Sequence, residues 1–205
     1  CGVATAPYLE DFDAGFSNCW SQDTAEVFDW SVDAIGTPSP GTGPSDDVTG
    51  GGNYMYTEAS LPRAHSDSAI MMTGDIDISS LTNAELNFYS HMYGTAIGTL
   101  RVDMHDGTNY TTVFTKSGDQ GDVWVEESVL LSTTASVVSF KVVAVLDTNS
   151  GGQAWPGDIS VDNFGVVEAA ANDLAIVAAV ASTGCELTNA EPIEVWVVNQ
   201  GLVSE

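Results

Sequence analysis

Two adjacent carboxylates, Asp46 and Asp47, stand in a loop that is rich in turn-forming residues. The loop opens segment 42–60 (TGPSDDVTGGGNYMYTEAS), in which three glycines separate the carboxylates from a stretch that alternates Tyr54, Tyr56 and Glu58. Glycine and proline fix the backbone of such turns, so neighbouring carboxylates on an irregular loop can direct their oxygens toward one hard cation. The segment therefore predicts a cation-binding loop that runs into a β-strand.

The residues that commonly carry catalysis form no recognisable constellation in this sequence. The histidines, His65, His91 and His105, lack the HExxH spacing of a zinc-protease helix, and there is no GxSxG elbow. His105 stands between Asp103 and Asp106, which would suit acid–base chemistry, but an edge turn with solvated charges explains the same residues. We therefore predict that this chain is not an enzyme, although a parent protein could carry a peptidase or glycosidase domain elsewhere.

The chain is strongly acidic: it has 29 Asp and Glu residues against four Lys and Arg, and a formal net charge of -25. Nucleic acids and anionic membranes attract basic surfaces, so this charge argues against both as partners. No stretch approaches the roughly 20 consecutive apolar residues that span a bilayer. A solvated acidic shell that keeps an extracellular protein in solution explains most of the acids, and a small subset is available for a metal.

Short β-strands separated by turns account for most of the sequence. Residues 84–92 alternate apolar and polar side chains, with Phe88 on the apolar face, which is the two-residue period of a half-buried strand. Residues 100–105 alternate in the same way, and Asp106-Gly107 provides a hairpin turn into the next strand. Many short strands at regular spacing, without a convincing helical period, indicate an all-β sandwich or barrel.

Four blocks along the chain resemble, in the same order, the signature of MAM domains, the extracellular modules named after meprin, the A5 antigen and receptor phosphatase mu. One block is the acidic loop itself, with Asp47 and Thr49 at matching positions and Val48 where the family usually has histidine. The opening block contains aromatic residues and consists of Asp11-Phe12-Asp13, Cys19-Trp20 and Phe28-Asp29-Trp30. The third block is a pair of core strands at 86–94 and 97–102, and the fourth is a closing strand at 158–164. The blocks together cover roughly residues 8–168.

The resemblance implies a jelly-roll β-sandwich in which the opening strand, an early loop and the closing strand meet at one edge. That edge would bring together three carboxylates, Asp13, Asp47 and Asp162, with Thr49 and Asn163 nearby. Such oxygen donors suit Ca2+, which takes about six to eight oxygen ligands, and several MAM domains hold a cation at this place. The resemblance therefore predicts a structural calcium ion that ties the start of the domain to its end.

Two alternatives to this ligand set stay open. Asp47 and Asp162 could instead cap turns through side-chain to backbone hydrogen bonds. Asp11 and Asp46 neighbour two of the predicted ligands and could take their places.

The three cysteines, Cys1, Cys19 and Cys185, are too far apart in sequence to form a zinc cluster. In an oxidising compartment Cys1 and Cys19 could form a disulfide. MAM domains commonly carry a disulfide at this end, but their first cysteine lies just before the opening block, where this chain has Glu10. Alternatively, Cys1 could be the lipid-bearing first residue of a bacterial lipoprotein. An upstream signal segment could have been removed.

The sequence changes character after the closing block, at Ala-Ala-Ala-Asn-Asp (169–173). Beyond it, two strands with a turn between them are predicted, and 193–201 (IEVWVVNQG) resembles the second strand of immunoglobulin-like, CARDB-like modules of secreted bacterial proteins. Two strands alone cannot bury a core. We therefore predict a MAM-like domain at 1–170 and the truncated start of an Ig-like β-sandwich at 171–205, with the partner of Cys185 outside this sequence.

One tryptophan, Trp155, stands in a loop just before the closing strand (GGQAWPG, 151–157). Carbohydrate-binding sandwiches often display an aromatic side chain in such a loop; simple packing over the rim is the alternative explanation.

The resemblance implies a non-catalytic adhesion or interaction module of a secreted or cell-surface multidomain protein, with protein or glycan as its partner. The alternative function is a carbohydrate-binding or accessory domain of a secreted hydrolase or peptidase.

Overall fold

Two β-sheets packed as a sandwich form residues 1–168 of the computed structural model, which describes residues 1–24, 26–170, 174–181 and 193–199. The seven-stranded sheet consists of β1 (Ala4–Thr5), β3 (Trp20–Gln22), β6 (Ser68–Thr73), β7 (Ile76–Asp77), β9 (Thr99–His105), β10 (Tyr110–Ser117) and β12 (Val137–Val145). The six-stranded sheet consists of β2 (Tyr8–Glu10), β4 (Ser31–Asp33), β5 (Tyr54–Tyr56), β8 (Ala84–Met92), β11 (Val125–Leu130) and β13 (Ile159–Glu168).

Each sheet is organised around one long central strand. In the seven-stranded sheet β12 pairs with β6 on one side and β9 on the other, and β10 forms the edge next to β9. In the six-stranded sheet β13 pairs with β8 on one side and with β5 and β2 on the other. All of these pairs are antiparallel; β1 and β7 pair in parallel. The predicted all-β jelly-roll sandwich is confirmed.

The core lies between the sheets and is rich in aromatic side chains. The alternating burial of β8 and β9 matches the predicted period of two, with Phe88, Leu100 and Val102 fully buried. Phe164 of β13 packs edge-on against Trp20 of the opposite sheet, with ring centroids 5.1 Å apart. The described residues contain no helix that could cross a membrane.

The opening and closing strands of the sandwich lie side by side. Tyr8 of β2 pairs with Val166 of β13, and Glu10 pairs with Phe164. Strand β5, which follows the acidic loop, pairs with the same strand at Val161. The start of the domain, the acidic loop and the closing strand therefore share one region of the six-stranded sheet.

A disulfide joins Cys1 to Cys19, across a sequence separation of 18 residues. Closing a loop of this length removes conformational freedom from the unfolded chain, which stabilises the fold by about 3 kcal/mol in the chain-entropy model. The bond fixes the segment that carries β1 and β2 to the start of β3.

A second compact unit comprises residues 169–205. Within it β14 (Leu174–Ala181) and β15 (Ile193–Asn199) form an antiparallel pair. The two predicted strands are thus present, while the assignment to an Ig-like module stays a prediction. Cys185 lies outside the described residues.

Candidate functional sites

The acidic loop and the opening segment meet around Gly52, the last glycine of the three-glycine run. A Cβ atom at this position would collide with Oδ1 of Asp13 and lie 2.9 Å from Oδ2 of Asp47, so glycine leaves room for both carboxylates where they lie. The backbone also fixes Asp13, because its Oδ1 accepts the N–H of Asn53 at 3.1 Å. The structure thus brings Asp13 next to Asp47.

Asp47 is buried, and both of its oxygens accept hydrogen bonds from the loop. Oδ1 accepts the N–H of Gly52 at 3.0 Å, and Oδ2 accepts the N–H of Thr49 at 3.1 Å and its hydroxyl at 2.5 Å. Burial alone would raise the pKa of Asp47, but these hydrogen bonds hold it below its ordinary value. Asp47 is therefore a carboxylate at neutral pH.

Asp162 brings the closing strand into the same neighbourhood. Its buried carboxyl accepts the N–H of Val48 at 3.1 Å through Oδ2 and that of Asn163 at 2.7 Å through Oδ1. Burial raises the pKa of Asp162 to about 6, and the negative charges of Asp47 and Asp13 contribute to the increase. The three predicted carboxylates therefore act on one another electrostatically.

The other predicted ligands take lesser roles in this arrangement. Asn163 adopts a positive φ of 49° at the bulge of β13 and contributes its backbone N–H to Asp162. Asp11 and Asp46, the substitute ligands, are exposed and shape turns: Oδ1 of Asp11 accepts the N–H of Asp13 at 3.1 Å, and Oδ1 of Asp46 accepts that of Gly51 at 3.1 Å.

The donors at this junction suit a hard cation chemically, since they are carboxylate, hydroxyl and backbone oxygens. In the described part of the chain, however, no group of three or more His, Cys, Asp or Glu side chains is arranged to hold a metal ion. Asp47 and Asp162 direct their oxygens at backbone N–H groups. Turn capping is what these two carboxylates do in this structure, and calcium binding stays a prediction.

Trp155 is half-buried beside a cavity of about 420 Å3. The cavity is also lined by Leu61, Arg63, His65 and Gln153, which belong to two separate loops. A cavity of this size with an aromatic wall and a few polar groups is typical of small-ligand sites. Trp155 thus lines a space that can hold a ligand, as well as packing at the rim.

Two of the three histidines, His91 and His105, occupy positions that packing explains. His91 is buried in β8, where Nε2 lies 3.2 Å from Oδ1 of Asp122 and the ring packs against Trp124 with centroids 5.4 Å apart. Burial lowers the pKa of His91 more than Asp122 raises it, so the ring is neutral at pH 7. His105 stacks on Tyr110 across the β9–β10 hairpin, with centroids 4.7 Å apart.

Three residues at these sites do not stand out in the sequence. Gly52 is one glycine of a run, and Asn53 follows it with no distinguishing motif. Arg63 could have been noticed as one of four basic residues, but nothing in the sequence connects it to Trp155, 92 positions later. Only the folded chain brings these loops together.

Comparison with known proteins places this geometry in a family. The family model described as MAM domain, meprin/A5/mu, matches residues 11–165. Among curated proteins, Neuropilin-1a of Danio rerio is 31% identical over 76% of the chain, and the human MAM domain-containing glycosylphosphatidylinositol anchor protein 2 is 30% identical over 79%. The chain covers only 16% and 18% of the lengths of these two relatives.

Solved structures show the same fold at low sequence identity. The K3 and K1 cleaved adhesin domains of Lys-gingipain from Porphyromonas gingivalis superpose with TM-scores of 0.54 and 0.53 at 12% and 14% identity. The superpositions cover 78% and 80% of this chain and 98% of each adhesin domain. Because the family model extends from the opening segment to the closing strand, over more than half of the sequence, the chain belongs to the MAM domain family.

Proposed function

We propose that this chain is a non-catalytic interaction module of a secreted or cell-surface multidomain protein, and that it binds another protein or a glycan. The observation that carries the proposal is the Cys1–Cys19 disulfide in a MAM-family domain, because disulfides persist in oxidising, extracellular compartments. Relatives that are named as glycosylphosphatidylinositol anchor proteins support a cell-surface location.

A bead assay tests the interaction. Beads coated with the chain are mixed with each other and with surfaces that carry extracellular matrix proteins or cell-surface glycans. We expect clustering or capture, which should be lost after thermal denaturation of the coated chain. Hydrolysis of the presented proteins or glycans by the purified chain would contradict a non-catalytic role.

We further propose that calcium binds at the junction of the opening segment, the acidic loop and the closing strand. Asp13, Asp47 and Asp162 would supply carboxylate oxygens, with Thr49 and Asn163 contributing hydroxyl and amide or backbone oxygens. Burial is the main cause of the raised pKa of Asp162, and repulsion by Asp47 and Asp13 adds to it. A divalent cation would offset that repulsion, which supports the proposal. The ion would stabilise the domain and take no part in chemistry.

Removing calcium is expected to lower the melting temperature by several degrees. A ligand present at about 100 times its dissociation constant stabilises the folded state by about 2.7 kcal/mol, and in a domain of this size each kcal/mol corresponds to roughly 2–4 °C. Differential scanning calorimetry in millimolar calcium and in excess EGTA measures the change.

The Asp162→Asn variant should melt at the same temperature with and without EGTA. Asp75→Asn, which removes one charge from an exposed position, serves as the matched control and should respond to EGTA as the wild type does. A wild-type melting temperature that is insensitive to both EGTA and added calcium would exclude the calcium ion.

A second candidate function, carbohydrate binding, is favoured by the position of Trp155 in the wall of a cavity. In a longer protein such a module would serve an attached hydrolase or peptidase. The two candidates differ in one respect that can be measured, since a glycan-binding module holds free sugars whereas a purely protein-binding one does not.

A further inference from the structure

Among the residues that the structure describes, one of the four basic side chains, Arg63, has no ion pair. Three of the four basic side chains each pair with a carboxylate: Arg101 with Asp103 at 2.9 Å, Lys141 with Asp23 at 3.0 Å, and Lys116 with Glu127. Arg63 forms no ion pair with any of the residues that the structure describes. In a chain with 29 acids, this exception is informative, and the unpaired guanidinium lines the cavity beside Trp155.

The guanidinium of Arg63 is held in place without a direct ion pair to a described carboxylate. Its Cζ lies 4.8 Å from the centre of the Phe28 ring, and Nη1 donates to the carbonyl of Ser60 at 3.4 Å. Its Nε is buried and has no hydrogen-bond partner in the described structure. Asp158 acts on Arg63 electrostatically, and because burial raises the pKa of this carboxyl to about 7, it opposes the guanidinium with only part of a full charge near neutral pH. The terminal nitrogens of the guanidinium, rather than the buried Nε, are therefore the donors that a ligand can use.

The walls of the cavity combine an apolar surface with neutral or basic polar groups. Trp155 and Leu61 provide the apolar part, and Gln153, Thr148 and His65 provide polar side chains. Among the described residues that line the cavity, none is Asp or Glu. This composition differs from that of the acidic surface around it and favours a ligand with both an apolar face and a negative charge.

The loop that carries Trp155 is ordered before any ligand binds. Oδ1 of Asn149 accepts the N–H groups of Gly151 and Gln153 at 2.9 and 3.1 Å. The carbonyl of Pro156 accepts the N–H of Ala96 at 3.0 Å, which ties the other side of Trp155 to the sandwich. A preformed site loses less conformational freedom on binding, so the aromatic wall is suited to stacking against a rigid ring.

We propose that this cavity binds a sugar that carries a carboxylate, such as a uronic or sialic acid residue within a glycan. Arg63 pairs with the carboxylate, the ring of Trp155 stacks against the apolar face of the sugar, and Gln153 and Thr148 bond its hydroxyl groups. This inference rests on the carbohydrate-binding candidate above and names the class of sugar that it would hold.

The net charge of -25 limits which acidic glycans can bind. No described Asp or Glu lines the cavity, although Asp147 contacts the lining residue His65 at 3.0 Å. Because charges are screened over about 8 Å at physiological ionic strength, a single carboxylate in the cavity interacts with Arg63 and only with the few acids beside the lining. A dense polyanion such as heparin would instead extend over the acidic surface and be repelled. The site is therefore expected to select isolated acidic sugar residues.

An array of glycans that end in uronic or sialic acid, displayed beside neutral glycans of the same backbone, tests the proposal. We expect the wild-type chain to prefer the acidic members, and Arg63→Gln to reduce that binding about tenfold or more while leaving any weak neutral binding unchanged, because the lost contact is a charge-assisted hydrogen bond. Trp155→Ala should abolish binding of both kinds. Circular dichroism and melting temperature establish that each variant is folded.

Arg101→Gln is the matched control, since it removes the same charge from strand β9 at a residue that does not line the cavity, and it should leave the array profile unchanged. Equal binding of acidic and neutral glycans that is lost in Trp155→Ala would overturn the acidic specificity and retain the carbohydrate-binding function. Binding to no glycan, or to acidic peptides alone, would overturn both and leave protein binding as the function of the module.

Discussion

Phe164→Ala is expected to lower the free energy of unfolding of the MAM domain by about 3–5 kcal/mol. Phe164 is fully buried in the central strand of the six-stranded sheet. Its ring meets Trp20 and Phe140 of the opposite sheet at centroid distances of 5.1 and 5.6 Å, and it stacks on Phe88 at 5.8 Å. Removing the ring leaves a space between the two sheets that densely packed neighbours cannot fill by small movements.

Urea unfolding followed by tryptophan fluorescence measures this loss. Phe114→Ala is the matched control, because Phe114 also contacts Phe88, at 5.0 Å, but is only half-buried in the edge strand β10. The control should lose less than half as much stability as Phe164→Ala. Equal losses in the two variants would mean that Phe164 is not central to the packing of the sheets.

Asp158→Asn is expected to stabilise the domain above pH 7 and to have little effect near pH 4. The side chain is fully buried, and burial raises the pKa of Asp158 from 3.8 to about 7, although the N–H of Ala59 partly offsets the increase through a 2.9 Å hydrogen bond to Oδ1. The folded state therefore binds this proton more tightly than the unfolded state. The contribution of Asp158 to the free energy of unfolding is fully present below pH 3.8 and is lost as the pH rises through about 7.

Each pKa unit corresponds to about 1.4 kcal/mol, so the advantage of Asp158→Asn would approach about 4 kcal/mol at high pH. Chemical unfolding of the wild type and the variant across this pH range gives the difference between their free energies of unfolding at each pH. Taking this difference removes effects of the overall charge that both proteins share. Asp75→Asn removes a charge from an exposed site and should show no comparable trend. A difference between Asp158→Asn and the wild type that does not change with pH would show that Asp158 is ionised alike in both states.

Alternation of side chains alone predicts β8 and β9, because a half-buried strand buries every second residue. The pairing of β2 with β13 cannot be obtained from that period, since it joins Tyr8 to Val166 across almost the whole domain. The family resemblance supplies it, because the opening and closing blocks come from a fold in which those strands are neighbours. The acidic residues Asp13, Asp47 and Asp162 are brought together for the same reason.

Hydrogen bonds and burial at the sites depend on details that a sequence does not carry. Asp47 can be recognised as a candidate ligand, but which backbone N–H groups its oxygens accept depends on the path of the loop past Gly52. Asp158 is buried where its Oδ1 accepts the N–H of Ala59, and these two residues are far apart in sequence. The cavity at Trp155 likewise exists only where two distant loops approach each other.

The Cys1–Cys19 bond also governs how the domain carries a mechanical load. Tyr8 and Val166 are neighbours in an antiparallel pair, so the two chain ends leave the pair on the same side. Without the disulfide, tension on these ends would break the hydrogen bonds between β2 and β13 one after another. With the disulfide intact, force applied at Cys1 is transmitted through the disulfide to Cys19, and residues 2–18 bear no load. In its oxidised form the module is thus protected against strand-by-strand separation of β2 from β13.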